Sequence, residues 1–266
     1  MNKSYQTLLV ELDDGILTIF FNREKAKNAL SLKMVDELEE ALRAAQEDSA
    51  VRAIFLRGKG KHFCAGGDIK DMAKARMGKT VDHDPIAVLN RRFGTLISGF
   101  YRCTKTVVAV VHGAAMGGGF GLACIADVVV AHETAKFKLP ETSLGVPPAQ
   151  IAPFLVYRLG MVKAKRLALT GASITAQQGV DLGLVDILVD DRSIAPALDD
   201  LKSKILRCAP KASQVTKSLF LSIPETRQDD LLDHGAKLFA DAIRGGEGME
   251  GMMAFLQKRD PKWVVK

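Results

Sequence analysis

The sequence is poor in aromatic residues and in long apolar runs, and each shortage argues against a class of protein. Aromatic residues make up 6% of the chain, and the basic residues behind its net charge of +6 are scattered rather than clustered with aromatics. This distribution argues against a nucleic-acid-binding module. No uninterrupted apolar run reaches the roughly 20 residues that cross a bilayer, and no signal-peptide pattern begins the sequence. We expect a cytoplasmic protein with neither a nucleic-acid nor a membrane partner.

Cysteine is also scarce. The chain has four, Cys64, Cys103, Cys124 and Cys208, which lie far apart and form no Cys-x-x-Cys pair. No histidine cluster has the spacing of a zinc site. We therefore expect reduced thiols and no metal.

Strand patterns dominate the first part of the chain and helical patterns the last part. Leu8–Leu12 and Ile16–Phe21 predict a hairpin around Asp13-Asp14-Gly15. Further strands are predicted at 53–56, 107–111, 127–131, 136–139 and 184–189, with an irregular segment from Met72 to Pro85 before a helix at 86–102. The pattern indicates an α/β core at 1–193 and an all-helical region at 194–266.

Helix boundaries are also predicted. Ser31 precedes a helical pattern, and Thr175 is expected to cap the short helix "AQQGVDLG". In the helical region, breaks are predicted at Pro210, at Pro224 and at Gly245-Gly246.

Two glycine-rich stretches follow short predicted strands. "HGAAMGGGFGLACIAD" covers His112–Asp127, and "HFCAGGDIK" covers His62–Lys70. Without a Cβ, glycine lets a ligand approach the backbone closely, and two N–H groups aimed at one oxygen form an oxyanion hole. Two tight turns are the alternative interpretation. A dinucleotide fingerprint fails at Leu122 and a phosphate-binding loop fails at Ala73, where each pattern requires glycine.

Glu141 follows the strand predicted at 136–139 and precedes an apolar, proline-rich segment. A half-buried carboxylate there would have a raised pKa, which suits a general acid/base near neutral pH. Alternatively, Glu141 caps Thr142–Leu144. His62 and His112 flank the glycine stretches and are expected to have supporting roles. The basic patches 59–61 and 74–79 are either solvated faces or contacts for a small polyanionic ligand.

Taken together, these segments resemble the crotonase family of enoyl-CoA hydratases and isomerases. The resemblance covers nearly the whole chain through "FNREKAKNALSLKM", "FCAGGDIKDM", "VHGAAMGGGFGLACIADVVVA", "FKLPETSLGVPP" and "LTGASITAQQGVDLGLVD". It implies a spiral of ββα units with a C-terminal α-helical trimerisation region. It also implies an acyl-CoA thioester substrate with no separate cofactor, and a homotrimer or a dimer of trimers.

The resemblance assigns roles by motif. It makes the N–H groups of Gly67 and Gly118 the oxyanion donors and Glu141 the acid/base, with Gly118 opening a helix whose dipole favours the anion. Further CoA or substrate contacts are implied at Ala26, Ala65, Asp68, Ile69, Lys70, Gly117 and Gly121. Phe255 and Lys258, in "AFLQKRDPKW", match residues that reach CoA from a neighbouring subunit.

One position departs from the family pattern. Hydratases with two glutamates carry the first where this chain has Gly121. Glu141 must then serve both proton transfers, or another group must help to position the water. A Δ3,Δ2-enoyl-CoA isomerase with a single carboxylate is the alternative. A non-catalytic binder of acyl-CoA or RNA is a second alternative.

Several segments look most like the isohexenylglutaconyl-CoA hydratase branch, which serves the degradation of acyclic terpenes. They are "FGLACIADV", "PETSLGVPPAQIAPFLVYRLG" and "IRGGEGMEGMMAFLQKRDPKW". This resemblance implies hydration of a branched 2-enoyl-CoA, with Gly121 enlarging the pocket for the acyl chain. Gln150 is a candidate for ordering water or a substrate carboxylate, or else a solvent-facing residue at the start of a helix.

Overall fold

A computed structural model describes residues 4–77, 84–223 and 226–264. Its strands are β1 Leu8–Asp13, β2 Ile16–Phe21, β3 Ala53–Gly58, β4 Thr106–Val111, β5 Ala114–Met116, β6 Val128–His132, β7 Lys136–Lys138, β8 Ser173–Thr175 and β9 Ile187–Val189. Its α-helices are α1 Leu32–Glu47, α2 Ile69–Met77, α3 Pro85–Arg102, α4 Gly118–Cys124, α5 Ala152–Leu159, α6 Met161–Thr170, α7 Ala176–Leu182, α8 Ile194–Arg207, α9 Pro210–Ser222, α10 Gln228–Arg244 and α11 Gly246–Leu256. This is the α/β fold expected from the sequence.

The main sheet has the strand order β1-β2-β3-β4-β6-β9, and every pair except the β1–β2 hairpin is parallel. Its central strands are buried on both faces, as parallel strands usually are. In β4, Val107 and Val111 belong to the larger core cluster, whereas Val108 and Val110 belong to a second cluster that includes Leu198 of α8. Helices therefore cover both faces of the sheet.

A smaller sheet with the order β5-β7-β8 continues from the main one. Gly113 makes the turn from β4 into β5 with a φ of +56°, and a Cβ there would overlap the Lys61 carbonyl oxygen. The chain thus passes from one sheet to the other next to the second glycine stretch. This turn brings the two glycine-rich segments together.

Local signals explain most element boundaries. The Ser31 hydroxyl accepts from the Met34 N–H at the start of α1, and Thr175 and Gln178 form a capping box at the start of α7. Asp14 and Gly15 both have positive φ in the β1–β2 turn, as a two-residue hairpin turn requires. The predicted hairpin and the predicted cap at Thr175 are both confirmed.

Other boundaries differ from the prediction. Residues 72–77, expected to be irregular, belong to α2, while 78–83 lie outside the described residues. The strand predicted at 184–189 is confined to β9, because the Leu184 and Val185 N–H groups donate to the Gly179 carbonyl of α7. The sequence did not predict β5 or β8, each a three-residue strand.

Only helices follow Ile194 in the described chain, with breaks at Pro210 and at Gly245-Gly246 as predicted; the break predicted at Pro224 lies outside the described residues. The C-terminal end returns to α8, where the Trp263 indole N–H donates to the carbonyl of Arg207, the last residue of that helix, at 3.0 Å. Across the described ranges, no helix is long and apolar enough to cross a membrane.

Candidate active site

The two glycine stretches lie against each other. Cys64 forms an isolated parallel bridge with Ala115 of β5, and a Cβ on Gly117 would lie 3.9 Å from the Cα of Gly66. Gly117 has a φ of +49° and precedes α4, so the chain needs glycine to make this turn. Gly67 and Gly118 each follow directly after this contact.

Both predicted donors have a free N–H. Within the described ranges, neither the Gly67 N–H nor the Gly118 N–H meets a hydrogen-bond acceptor, although the N–H groups of Asp68 and Gly117 beside them are both bonded. Gly118 is the first residue of α4, where the N–H has no acceptor inside the helix. Gly67 is exposed and Gly118 half-buried, so a ligand oxygen can reach them.

The turn at 23–30 holds the Gly67 segment. The Arg23 guanidinium pairs with the Asp68 carboxylate at 2.7 Å. Burial, the largest single influence, would raise the pKa of Asp68. The hydrogen bonds from Arg23 and from the Lys70 N–H, together with the charges of both residues, outweigh burial, so that this pKa is lowered. Asn28 is fully buried, with its amide donating to the carbonyls of Lys59 and His62. The turn therefore holds the segment that leads from the end of β3 to Gly67, through contacts both before and after the glycine.

Glu141 lies beside the contact between the two stretches. Its Oε1 is 2.8 Å from where a Cβ on Gly117 would be. Its Oε2 is buried and has no hydrogen-bond partner in the described chain. Burial raises the pKa of Glu141, as predicted. The interpretation of Glu141 as a capping side chain is wrong, because its carboxylate makes no cap hydrogen bond to the 3-10 helix that follows.

Apolar side chains lie next to the α-carbons of Gly67 and Gly118. A Cβ on Gly118 would lie 3.0 Å from Leu30 Cδ1 and 3.1 Å from Phe93 Cζ, and one on Gly67 would lie 2.5 Å from Met72 Cε. Met72 is 51% exposed, so its flexible thioether can move aside for a ligand. Sequence reasoning missed these three side chains, although the helical spacing of α3 could have placed Phe93 on the face that packs inward.

The expected enlargement of the pocket at Gly121 is wrong. Gly121 is buried, and a Cβ there would overlap Ile151 Cγ2 and lie 2.9 Å from Ile97 Cδ1. The glycine makes room for Ile151 rather than for substrate. A glutamate at this position would require Ile151 to move, and the side chains that pack against Gly121, Ile97 and Ile151, form an apolar wall.

Gln150 lies two residues before α5, close to the predicted place at the start of a helix, and it pairs with another side chain. It is half-buried, and its Nε2 donates to Asn90 Oδ1 of α3 at 2.7 Å. A Cβ on Gly94 would overlap its Oε1. The missing side chain of Gly94 thus leaves room for Gln150, just as the missing side chain of Gly121 leaves room for Ile151.

Most residues implied in CoA binding lie around the Gly67 segment. Ala26 ends a 3-10 helix in the turn at 23–30, and the Ala65 N–H donates to the Lys27 carbonyl in the same turn. Ile69 and Lys70 begin α2, directly after the Arg23-bound carboxylate. This group is continuous with the first donor.

Two further residues implied in CoA binding lie elsewhere. Phe255, 83% exposed, is in the last turn of α11, and Lys258 follows that helix. They belong to the C-terminal part of the chain that returns to α8, not to the glycine segments.

The two histidines brace the backbone. His62 Nδ1 accepts from the Ala114 N–H at 3.2 Å, and His112 Nε2 lies 2.9 Å from the Gly60 carbonyl oxygen. Burial lowers the pKa of His112. In the part of the chain that is described, no group of His, Cys, Asp and Glu side chains could hold a metal ion.

Comparison with known proteins identifies the class of fold and site. The family model described as "Enoyl-CoA hydratase/isomerase" matches residues 11–266. The chain therefore belongs to the enoyl-CoA hydratase/isomerase family and is an enzyme of that family.

Similar structures and relatives cover almost the whole chain. An enoyl-CoA hydratase/isomerase from Marinobacter aquaeolei is 47% identical with a TM-score of 0.95, over 98% of this chain and 100% of the other. The Pseudomonas aeruginosa protein AtuE is 47% identical with a TM-score of 0.94 over the same shares. The 2,3-dehydroadipyl-CoA hydratase of Escherichia coli is 35% identical over 96% of this chain and 97% of its own length.

Proposed function

We propose that this enzyme adds water to a branched 2-enoyl-CoA of the isohexenylglutaconyl-CoA kind, with Glu141 as its only acid/base. The observation that carries the proposal is the half-buried Glu141, with an unpartnered Oε2, beside two glycine N–H groups that have no acceptor in the described chain. The relatives' names, enoyl-CoA hydratase and 2,3-dehydroadipyl-CoA hydratase, support hydration as the reaction.

In the proposed reaction, Glu141 takes a proton from water while the water oxygen bonds to the β-carbon of the enoyl group. The electron pair of the double bond moves to the thioester, whose oxygen becomes an enolate held by the Gly67 and Gly118 N–H groups. The protonated Glu141 then gives its proton to the α-carbon. The raised pKa of Glu141 suits a group that accepts and returns one proton.

An isomerase is the second candidate, and the apolar wall at Gly121 favours it. Hydratases with two glutamates carry a carboxylate at the position of Gly121, which could hold a water molecule. Here apolar Ile97 and Ile151 occupy the space beside Gly121, and neither side chain can hydrogen-bond water. In this reaction Glu141 would move a proton from the α-carbon to the γ-carbon of a 3-enoyl-CoA. No water would be added.

The assembly is part of the proposal. We propose a homotrimer or a dimer of trimers in which Phe255 and Lys258 reach CoA bound to a neighbouring subunit. An interface of this kind is supported by the exposure of apolar side chains along α9–α11, among them Phe220, Leu232, Phe239, Met249 and Phe255.

The location and the division of the chain are proposals as well. The four cysteines are free thiols, which fits a reducing cytoplasm. The core at 1–193 and the helical region at 194–266 are proposed as the two functional parts, the first for the acyl-CoA site and the second for assembly.

Mass spectrometry in heavy-oxygen water separates the two reactions. The panel would contain crotonyl-CoA, a 3-enoyl-CoA, 3-methylglutaconyl-CoA and isohexenylglutaconyl-CoA. Heavy oxygen gained by the branched substrates is the expected result. Conversion of the 3-enoyl-CoA without oxygen uptake on any substrate would replace hydration with isomerisation, and binding without turnover would leave a non-catalytic binder.

A further inference from the structure

Two glycines inside helices accommodate two consecutive side chains. Gly94 in α3 lies under the Gln150 amide, and Gly121 in α4 lies under Ile151. Glycine inside a helix is unfavourable relative to alanine. The packing of Gln150 and Ile151 against these two glycines offsets this cost, and it holds the 150–151 segment against α3 and α4.

One face of α3 lines this part of the site. Asn90, Phe93, Gly94 and Ile97 follow helical spacing and share that face. Phe93 packs over Gly118, and Ile97 packs next to α4 one turn further on. The Asn90–Gln150 pair therefore continues the wall that begins at the Gly118 donor, one turn closer to the exposed start of α3.

The orientation of the two amides leaves donors available. The Gln150 oxygen is turned onto Gly94, and the Asn90 oxygen accepts from Gln150 Nε2. Each amide nitrogen carries two N–H groups, so the Asn90 nitrogen and the second Gln150 N–H remain to donate. Such a pair can donate to an acceptor on a ligand.

The charges nearby favour an anionic acceptor. Arg91 directly follows Asn90, and its exposed side chain is hydrogen-bonded to the neutral Thr95 hydroxyl rather than to a carboxylate. The carboxylate at the start of this helix, Asp84, is already engaged because it accepts from N–H groups of the first turn. The exposed first turns of α3 therefore carry a cation, Arg91, next to Asn90 along the chain, and a carboxylate, Asp84, that is already hydrogen-bonded.

We propose that the Asn90–Gln150 amide pair binds a carboxylate carried by the acyl chain, so that the preferred substrates are acyl-CoA thioesters with a second acidic group. The expected preference in hydration rests on the proposed function, whereas the expected preference in binding does not. The half-buried Phe93 side chain, which lies between Gly118 and the amide pair on α3, would contact the hydrocarbon between the thioester and that carboxylate.

The test compares substrates of equal chain length with and without the carboxylate. Hydration of 2,3-dehydroadipyl-CoA and of trans-2-hexenoyl-CoA is measured for the full chain and for Asn90→Leu and Gln150→Met. A lost hydrogen bond to a charged group lowers an equilibrium or rate constant by about 10- to 100-fold. We expect kcat/KM for the carboxylated substrate to fall by that factor, with little change for hexenoyl-CoA.

Gln177→Met is the matched control. Gln177 is an exposed amide of α7 that bonds Asp181 of the same helix at 3.2 Å, and its loss should alter neither substrate. Equal losses on both substrates in Asn90→Leu and Gln150→Met would overturn the proposal in favour of a structural role for the pair. Unchanged kinetics on both would overturn it as well.

Binding separates this inference from the reaction itself. Calorimetry with the saturated adipyl-CoA and hexanoyl-CoA needs no turnover. A preference of the native chain for adipyl-CoA that disappears in Asn90→Leu would support the amide pair even if no acyl-CoA were hydrated. The absence of any such preference would overturn the pair's role even if hydration were found.

Discussion

The two free N–H groups are held in place by different kinds of interaction. Gly67 lies at the exposed rim, where the charged pair of Arg23 and Asp68 and the turn at 23–30 fix its segment. Gly118 begins α4, whose remaining residues are all buried. One donor segment therefore depends on polar contacts near the surface and the other on core packing.

This difference indicates where each donor segment can adjust. The rim segment contains positions implied in CoA binding, so a polar turn can respond to the CoA portion of the substrate. The α4 segment is continuous with the core and, through Gly121, with the side chain of Ile151. Close-packed surroundings resist displacement, so we expect this second segment to keep its geometry when a ligand binds.

Glu141 lies beside the contact between the two donor segments, and its replacement should have the largest effect on activity. Glu141→Gln keeps the shape of the side chain but removes the carboxylate proposed to move the proton in both steps. Since positioned acid/base groups typically contribute about 10²- to 10⁴-fold, we expect the turnover of the best substrate to fall by about 10³-fold or more. Near-normal turnover would show that another group moves the proton.

The Gly118 donor can be removed without removing its neighbours. Gly118→Pro deletes the N–H at the first position of a helix, where proline is tolerated. Loss of one oxyanion donor should cost about 10²- to 10³-fold in kcat, which steady-state kinetics on the best substrate would measure.

Gly118→Ala is the control for Gly118→Pro, because it adds a Cβ against Leu30 and Phe93 but keeps the donor. If the alanine and proline variants lose activity equally, the N–H is not the functional group. Circular dichroism of both variants would verify that the helices still form in the folded protein.

Asp68→Asn tests the polar side of the comparison. Loss of the ion pair should let the Gly67 segment shift, which we expect to lower kcat by about tenfold, less than the loss of a whole donor. Asp127→Asn breaks a comparable pair, Lys217 Nζ to Asp127 Oδ2 at 2.6 Å, away from the site. It should lower the unfolding temperature without lowering kcat. A purely structural role for Asp68 predicts the same behaviour from both variants.

The sequence predicted those features that depend on residues close together along the chain. The hairpin at Asp14-Gly15, the cap at Thr175 and the glycine stretches have local causes. The raised pKa of Glu141 was also predicted, because the apolar, proline-rich segment that follows it already indicates burial.

The filling of the space at Gly121 could not be predicted in this way. Ile151 lies well beyond Gly121 along the chain, and only packing shows that it occupies the space. From the sequence alone, a glycine that leaves an open cavity looks the same as a glycine whose space is filled by a neighbouring side chain. The short strand β5 was missed for a related reason, since its pairing with β7 is set by tertiary structure.

Alanine substitutions at two helix glycines test the packed side of the comparison. Gly121→Ala should lower the free energy of unfolding by about 1–3 kcal/mol, as overpacking does, because its Cβ would overlap Ile151. Gly235→Ala in α10, with nothing within 4 Å of the added Cβ, should raise the free energy of unfolding by about 1 kcal/mol, because alanine is favoured over glycine inside a helix. Denaturant unfolding of both variants measures the difference. A stabilising Gly121→Ala would show that Ile151 does not fill the space.

The smallest expected effect is a gain in stability from Glu141→Gln. Burial raises the pKa of Glu141 above its ordinary 4.5, so the folded chain holds the proton more tightly than the unfolded chain. The cost of burying the charge is absent below the unfolded pKa, grows as the pH rises to the folded pKa, and is constant above it. Glu141→Gln avoids that cost and should unfold at a higher temperature than the native chain at neutral pH.

The pH dependence of this gain tests burial as the cause of the raised pKa. The difference in unfolding temperature should shrink as the pH is lowered towards the ordinary pKa of a glutamate, and thermal unfolding across this range measures it. A variant less stable than the native chain at neutral pH would mean that the site stabilises the ionised carboxylate. In that case Oε2 would have a partner in solution, and the pKa of Glu141 would be lowered rather than raised by burial.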